Sequence, residues 1–460
     1  MSEAAARPAA PAEGNPELLS SLDPLLREWL PRQRWFAGKG RPITGFTLDS
    51  VTELLPRSGL LHLLLRAHQP PADEGPGDCY QLLIGISDAL PPRLAAAAIG
   101  HITQGPLAGR TAYEALHDPR LASVLLERLR IPGTLGDLRF HRGPQGEVPR
   151  GLMPRPLRAE QSNSSVVYGD RLIAKFFRRV RSGTNPDLEL PLALAREGCP
   201  RVPAPIAWFE TGSKTLGVLQ PYLKGAADGW DLALRHLTKE EDFTAEAREL
   251  GRATGEVHAA LARALPTVTC SRAHTEQLAE AMIHRLETTA HQVPALLPHV
   301  PALRTAFEAL TDLAAEGTTW QAQRVHGDLH LGQCLREPSG TWQLIDFEGE
   351  PSRPLAERRM PHPPHRDIAG MLRSFDYAAR SLPPTAENPS PWNPAWSDAC
   401  RAAYCTGYAE VTGTDPRTEP VLLRAYETDK AVYEALYEAR HRPDWLPVPL
   451  AALARLAEGG

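Results

Sequence analysis

One segment limits what this chain can fold into more than any other. His326-Gly-Asp328-Leu-His330-Leu-Gly-Gln333 is followed, after a turn, by the apolar run Trp342-Gln-Leu-Ile345 and then by Asp346-Phe347-Glu348. The two aspartates therefore stand on either side of a loop and a short strand. This order places a carboxylate five residues before an amide and a second carboxylate after the strand. Phosphoryl transfer asks for that set, since it needs an oriented hydroxyl and a divalent cation held against phosphate oxygens. Asp328 is read as the group that orients an acceptor hydroxyl and takes its proton. Gln333 and Asp346 are read as metal ligands, and Glu348 as a further metal or acceptor ligand, while Glu350 reads as a solvated charge. Either aspartate alone would be an ordinary turn residue, and it is the ordered set with both histidines, both glycines and Gln333 that carries the chemistry. A rival chemistry makes His326 and His330 an i, i+4 zinc pair. It lacks the Glu that follows the first His in helical metalloproteases, and Gly327 weakens the helix it needs.

Upstream, Ser164–Tyr168 and Arg171–Phe176 read as strands joined by Gly169-Asp170, a dipeptide suited to a primed two-residue turn. Lys175 sits in the second strand among Leu172, Ile173, Ala174, Phe176 and Phe177, where a buried ammonium needs an anion. A nucleotide phosphate and a helix carboxylate would supply it, and Glu189, in Asn185-Pro-Asp-Leu-Glu189, opens the next helix. The preceding loop is not a GxGxxG loop, but the hydroxyl and amide groups of Ser162, Asn163, Ser164 and Ser165 are read as donors to nucleotide phosphate. A third strand, Thr215–Gln220, ends at Pro221; Gln220 and Tyr222 are assigned to the nucleotide side, and the segment near Tyr222 reads as a hinge.

The rest of the chain organises around these motifs. Its 460 residues allow two to four domains. With 50 Lys+Arg against 55 Asp+Glu, neither nucleic acid nor a membrane surface is an expected partner. Six cysteines without a CxxC pair argue against a zinc site or a disulfide framework, and no 18-residue apolar run occurs, so a cytoplasmic protein is expected. Residues 1–17 read as a disordered tail and Pro24–Leu30 as a short helix. The cluster Arg32, Arg34, Trp35, Phe36, Lys39 and Arg41 reads as a docked amphipathic surface, and runs at 46–55, 60–66 and 80–86 as strands. The resulting division is 18–90 for a small β-rich cap, 91–222 for an intermediate region with the hairpin, and 223–460 for a helical part. In that last part Ala247, Leu250, Thr254, Val257 and Leu261, and again Leu303, Phe307, Leu310 and Ala314, recur at helical spacing. Asp367 is read as the cap of a helix over 368–377. In the last long helix Tyr426, Lys430, Tyr433 and Tyr437 share a face beside Glu427, Glu434 and Glu438. Interleaved rings and charges of this kind suit a sugar.

Several blocks together resemble the maltokinases of actinobacteria, similar in fold to aminoglycoside and choline phosphotransferases. They are Trp29–Gly40, Glu160–Ser165, His326–Gln333, Asp346–Pro351, Arg366–Tyr377 and Lys430–Glu438. The resemblance implies an α+β, bilobal kinase-like fold: a small N-terminal cap, a β-rich N-lobe and a mostly helical C-lobe. It implies transfer from ATP, with Mg²⁺, to the anomeric hydroxyl of maltose, a product that feeds glycogen or α-glucan synthesis, with trehalose synthase as a pathway partner. The substrate side is expected at Asp328, Tyr426, Lys430, Tyr433, Glu434 and Tyr437. Departures from protein kinases are Glu348 in place of Gly, Gln333 in place of Asn, and the absence of the Gly-rich loop and Ala-Pro-Glu segment, so a protein substrate is not expected. Alternatives on the same scaffold are a glucosamine or aminoglycoside kinase, and from another class a pseudokinase scaffold, against which Asp328, Gln333, Asp346 and Lys175 all argue.

Overall fold

A computed structural model describes residues 16–55, 59–70, 77–144, 146–157, 162–350, 353–382 and 392–459. Residues 1–15 of the tail, Glu160, Gln161 and Pro351 lie outside them. Helix α1 (Pro16–Trp29) begins well before Pro24, because Leu18, Leu22, Leu26 and then Leu30 form a buried stripe that outweighs an internal proline. Pro24 has no N–H for the Ser20 carbonyl, and the side-chain amide of Gln104 donates to it instead at 3.1 Å.

β1 (Gly45–Leu55), β2 (Leu60–His68) and β3 (Asp78–Ser87) are the three strands expected from the sequence. β4 (Ala98–His101) and β5 (Thr111–Glu114) extend the same antiparallel sheet in the order β1-β2-β3-β5-β4, so it runs on past residue 90. β2 and β3 read as continuous apolar runs because both faces are covered. Leu61, Leu63, Leu82 and Ile84 pack with the α1 stripe, while Leu60, Leu64 and Leu83 join a second core with Val166, Ala174 and Leu219. Trp35 and Phe36 lie against Tyr80, with ring centroids 5.9 and 5.1 Å away, as a docked surface requires.

After α2 (Pro119–Arg130) come β6 (Gly133–Leu135), β7 (Leu138–Arg142), β8 (Pro154–Pro156), β9 (Ser164–Tyr168), β10 (Leu172–Phe176) and β11 (Arg179–Val180). Helix α3 (Pro186–Arg196), β12 (Ala207–Thr211) and β13 (Lys214–Pro221) follow. Seven of these strands form a sheet ordered β6-β7-β12-β13-β10-β9-β8. Gly169 and Asp170 both take positive φ, +57° and +52°, the primed turn the dipeptide predicts. Along β10 it is Leu172, Ala174 and Phe176 that enter the core, which puts Lys175 on the other face, not the apolar one.

The chain divides into two compact units, one holding the residues up to Leu188 with Ala204–Lys224, the other Glu189–Pro203 with Gly225–Gly460. The second contains α4 (Gly229–Thr238), α5 (Thr244–Ala264), α6 (Arg272–Gln292), α7 (Val300–Ala315), α8 (Leu355–Arg358), α9 (His365–Ala378), α10 (Pro394–Thr412), α11 (Pro420–His441) and α12 (Pro447–Glu458). Its short strands are β14 (Ala227–Asp228), β15 (Val268–Cys270), β16 (Trp320–Ala322), β17 (Cys334–Arg336) and β18 (Trp342–Leu344). The predicted stripes of α5 and α7 are buried throughout. Among the described residues no helix is long and apolar enough to cross a membrane.

Candidate active site

β17 and β18 pair Cys334 with Leu344, which brings the end of the His326–Gln333 loop beside Ile345 and Asp346. The Ile345 N–H donates to the Gln333 carbonyl at 3.0 Å, and the Gln333 side-chain amide donates to the Asp346 carboxylate at 3.3 Å. Asp346 has φ +63°, a left-handed conformation in which strain concentrates at functional positions. Glu348 is half-buried, its carbonyl accepting from Arg358 at 2.7 Å. Gln333, Asp346 and Glu348 offer only oxygen donors once the Gln333 amide nitrogen is committed to Asp346. That set fits Mg²⁺, which binds one or two carboxylates and leaves its other positions to water and phosphate.

The zinc reading of the two histidines does not survive. His326 donates from Nε2 to the Ile345 carbonyl at 2.9 Å, and its ring rests on Phe347. His330 caps the short 3-10 turn Leu331–Gln333, its Nδ1 accepting the Gly332 N–H at 3.1 Å. His326–His330 is not helical, so the i, i+4 geometry never arises. Burial holds the His330 pKa below the ordinary value.

Asp367 is not a helix cap. α9 starts two residues earlier, and the Asp367 side chain is buried against the loop, accepting the backbone N–H of His326 at 2.7 Å and of Gly327 at 2.8 Å. Its third bond comes from His258 Nε2 at 3.0 Å, and His258 Nδ1 is 3.1 Å from the Tyr408 hydroxyl. Burial alone would raise the Asp367 pKa; the His258 hydrogen bond and the other donors bring it below the usual value. Gly370 lets α9 approach, since a Cβ there would lie 2.6 Å from the Leu329 carbonyl oxygen.

Asp328 faces α11. Lys430 Nζ is 2.9 Å from its carboxylate and 3.0 Å from that of Glu350. Glu350 is not solvated: it is 3% exposed and also accepts from Arg353 at 2.5 Å and Arg366 at 3.4 Å. Arg353 lies 3.6 Å from Asp429, which Arg285 holds at 2.7 Å. Burial opposes these charges, yet the Asp328 and Glu350 carboxylates hold the Lys430 ammonium above its ordinary pKa, and Lys430, Arg366 and Arg353 pull Glu350 well below the carboxylate range. Next to this cluster a cavity of about 540 Å³ opens between α6 and the 353–366 segment, sharing Arg353, Arg366, Tyr426 and Asp429 with the crevice at Asp328. The buried Tyr426 hydroxyl has no hydrogen-bond partner among the described residues.

The remaining expected acceptor residues divide. Tyr426 and Lys430 face the crevice, and the Tyr433 ring lies 4.9 Å from the Lys430 ammonium. Glu434 does not reach it, because its carboxylate is locked to the buried Arg373 guanidinium at 2.8 Å. Glu427 is likewise held by Arg401 at 2.7 Å and Glu438 by Arg442 and Tyr377. Tyr437 is on an exposed face, beside His441. A 22-residue helix packed on several neighbours has too many faces for one stripe to reveal which is the site.

On the hairpin, Lys175 pairs with Asp187 at 2.9 Å and not with Glu189, whose carboxylate holds Arg324 at 2.9 Å and Arg359 at 3.3 Å. Asn185 accepts the Asp187 N–H at 2.9 Å, so Asp187 stands in the first turn of α3, and Asn185-Pro186 was the signal that could have shown this. Of the loop residues, Ser162 is exposed and its hydroxyl accepts from Asn163 at 3.3 Å. Ser164 accepts from Arg178 at 2.8 Å, and Ser165 is buried in β9. Gln220, half-buried, lies opposite Ile173, and the Tyr222 N–H donates to the Arg171 carbonyl at 2.8 Å.

Residues 154–418, which carry Lys175, Asp328, Gln333, Asp346 and Asp367, match the phosphotransferase enzyme family. The chain belongs to that family. Residues 29–118 match the maltokinase N-terminal cap domain. The phosphotransferase match ends before α11, so Lys430 lies beyond it. A glucosamine kinase of Mycolicibacterium smegmatis is 30% identical over 331 residues, covering 66% of this chain and 80% of that one. A glucosamine kinase of Streptacidiphilus jiangxiensis is 29% identical over 327 residues, covering 66% and 73%. A solved glucosamine kinase in complex with glucosamine, ADP and inorganic phosphate superposes with a TM-score of 0.66 at 23% identity, covering 94% of this chain and 98% of that one. This phosphotransferase has the kinase-like α+β fold of its family, with an N-terminal cap, a β-sheet N-lobe and a helical C-lobe.

Proposed function

We propose that the chain transfers the γ-phosphoryl group of ATP to the anomeric hydroxyl of a neutral disaccharide, maltose. Asp328 accepts the acceptor proton as the new P–O bond forms and ADP leaves. Gln333, Asp346 and Glu348 would hold Mg²⁺, which neutralises phosphate charge when bound. Lys175, kept in place by Asp187, contacts nucleotide phosphate, with Ser162, Asn163, Gln220 and Tyr222 nearby in the same unit.

The observation that carries the acceptor is the pairing of the carboxylates at the crevice. Among the described residues Asp328, Glu350 and Asp429 are each held by one or more of the cations Lys430, Arg353, Arg366 and Arg285. None of these carboxylates is left over to receive an ammonium group, whereas hydroxyls can take hydrogen bonds from the cations. The carboxylates that could have reversed this, Glu427, Glu434 and Glu438, are engaged by arginines. The cavity beside the crevice has the size of a small-molecule site, within about 300–1,000 Å³, and supports an acceptor of more than one ring. The match to a maltokinase cap supports the same acceptor. Glucosamine is the second reading, favoured by the names of the two relatives. Kinetics with ATP, Mg²⁺ and a panel containing maltose, glucose, glucosamine and an aminoglycoside decides: kcat/KM should be highest for maltose, and a higher value for glucosamine overturns the assignment.

A further inference from the structure

We infer that Glu350 is a positioning residue for phosphoryl transfer, pinning Lys430 against Asp328 so that the ammonium offsets the carboxylate as the phosphoryl group arrives. This rests on phosphoryl transfer at Asp328 and not on which sugar is the acceptor. Asp328, half-buried, must come close to a group whose oxygens are negative, and two like charges at such range oppose the approach. A cation 2.9 Å from the carboxylate removes much of that repulsion. As the reaction proceeds the acceptor O–H proton passes to Asp328, the P–O bond to the ADP oxygen breaks and the bond to the acceptor oxygen forms. Lys430 keeps its protons throughout.

A lysine has four rotatable side-chain bonds and would not stay on Asp328 unaided. Glu350 supplies the second contact at 3.0 Å and is itself immobilised from two directions, by Arg353 and by Arg366 of α9. Arg353 in turn lies 3.6 Å from Asp429, one residue before Lys430 on α11. The Asp346–Glu350 segment, α9 and α11 thus converge on one ammonium. Lys430 is then a charge acting on the transferring group, where the sequence alone suggested a sugar contact.

Steady-state kinetics of Glu350→Gln, Lys430→Met and the double variant tests this, using the sugar the panel selects and calorimetry with a non-hydrolysable ATP analogue to verify folding. Glu350→Gln should lower kcat by about 30-fold or more with both KM values within about threefold of the parent. Lys430→Met should lower it at least as far, and the double variant no further than Lys430→Met, because Glu350 acts only through the lysine. Losses that multiply in the double variant, an unchanged kcat in Glu350→Gln, or a loss confined to acceptor KM in Lys430→Met would each overturn the inference. Should Glu350→Gln fail to bind the analogue, Arg366→Gln takes its place: it loosens Glu350 while leaving Glu350 and Lys430 charged, and an unchanged kcat there overturns the inference equally. If the parent phosphorylates only glucosamine, the acceptor assignment falls and the same variants are read with glucosamine. A parent inactive with ATP and every sugar would overturn the phosphotransfer reading itself, and the inference with it.

Discussion

The carboxylate of Asp367 accepts the backbone N–H of Gly327 at 2.8 Å, tying α9 to the residue immediately before Asp328. With the His326 N–H on the other oxygen, one side chain holds two consecutive amides of the loop. Charge-assisted bonds of this kind contribute about 1.5–3 kcal/mol each. Replacing Asp367 by Asn removes the charge and one acceptor position. The expected outcome is a fall in kcat on the order of 10²-fold, since a displacement of about 1 Å at the reacting groups has that effect. ATP affinity should remain close to the parent's; a full kcat would show that the loop holds its shape without the tether.

Asp328 and Asp346 should fail differently. Asp328→Asn is expected to lower kcat by about 10²–10⁴ while leaving nucleotide binding intact, because its carboxylate acts as the proton moves. Asp346→Asn is expected to abolish the contribution of Mg²⁺ to ATP binding, measured by titration with the ion present and after its removal by a chelator. If Mg²⁺ strengthens ATP binding equally in parent and variant, Asp346 is not its ligand.

Lys175 and its partner make a paired test. Asp187→Asn should weaken ATP binding by about tenfold, because Lys175 loses the carboxylate that orients it. Glu189→Gln should leave ATP affinity within about twofold, since that carboxylate serves Arg324 and Arg359. The reverse ranking would restore Glu189 as the partner of Lys175.

Stability should decline with acid before the carboxylates titrate. Burial pushes His62, whose Nε2 lies 2.8 Å from Gln81, and His365 down to about 4 from the ordinary 6.5. The unfolded chain takes up these protons as pH falls through 6.5, and the folded chain resists until about pH 4. Each histidine therefore withdraws stability over that window, by about 1.4 kcal/mol per pH unit, and its full contribution is present above pH 6.5. Urea unfolding of the parent and of His62→Gln at a series of pH values between 7 and 5 is the check. The variant should show the shallower slope, and parallel curves would mean that His62 is protonated freely in the folded state.

Sequence alone determined what is local. The hairpin turn at Gly169-Asp170 follows from backbone sterics, the buried stripes of α5 and α7 follow from helical period, and the order of Asp328, Gln333 and Asp346 around a short strand follows from spacing. Tertiary structure decided the partners. Glu350 lies only two residues from Glu348, yet it is buried among three cations, of which Arg366 comes from α9 and Lys430 from α11. Asp367 looked like a cap and became the tether of a loop 40 residues upstream. Glu434 shares a helix with Lys430, and a turn of that helix carries it to Arg373 and away from the crevice. The physical reason is range: propensity and period act over a few residues, whereas charge pairing is settled by whichever groups packing brings within about 4 Å, and that distance is not written in sequence separation.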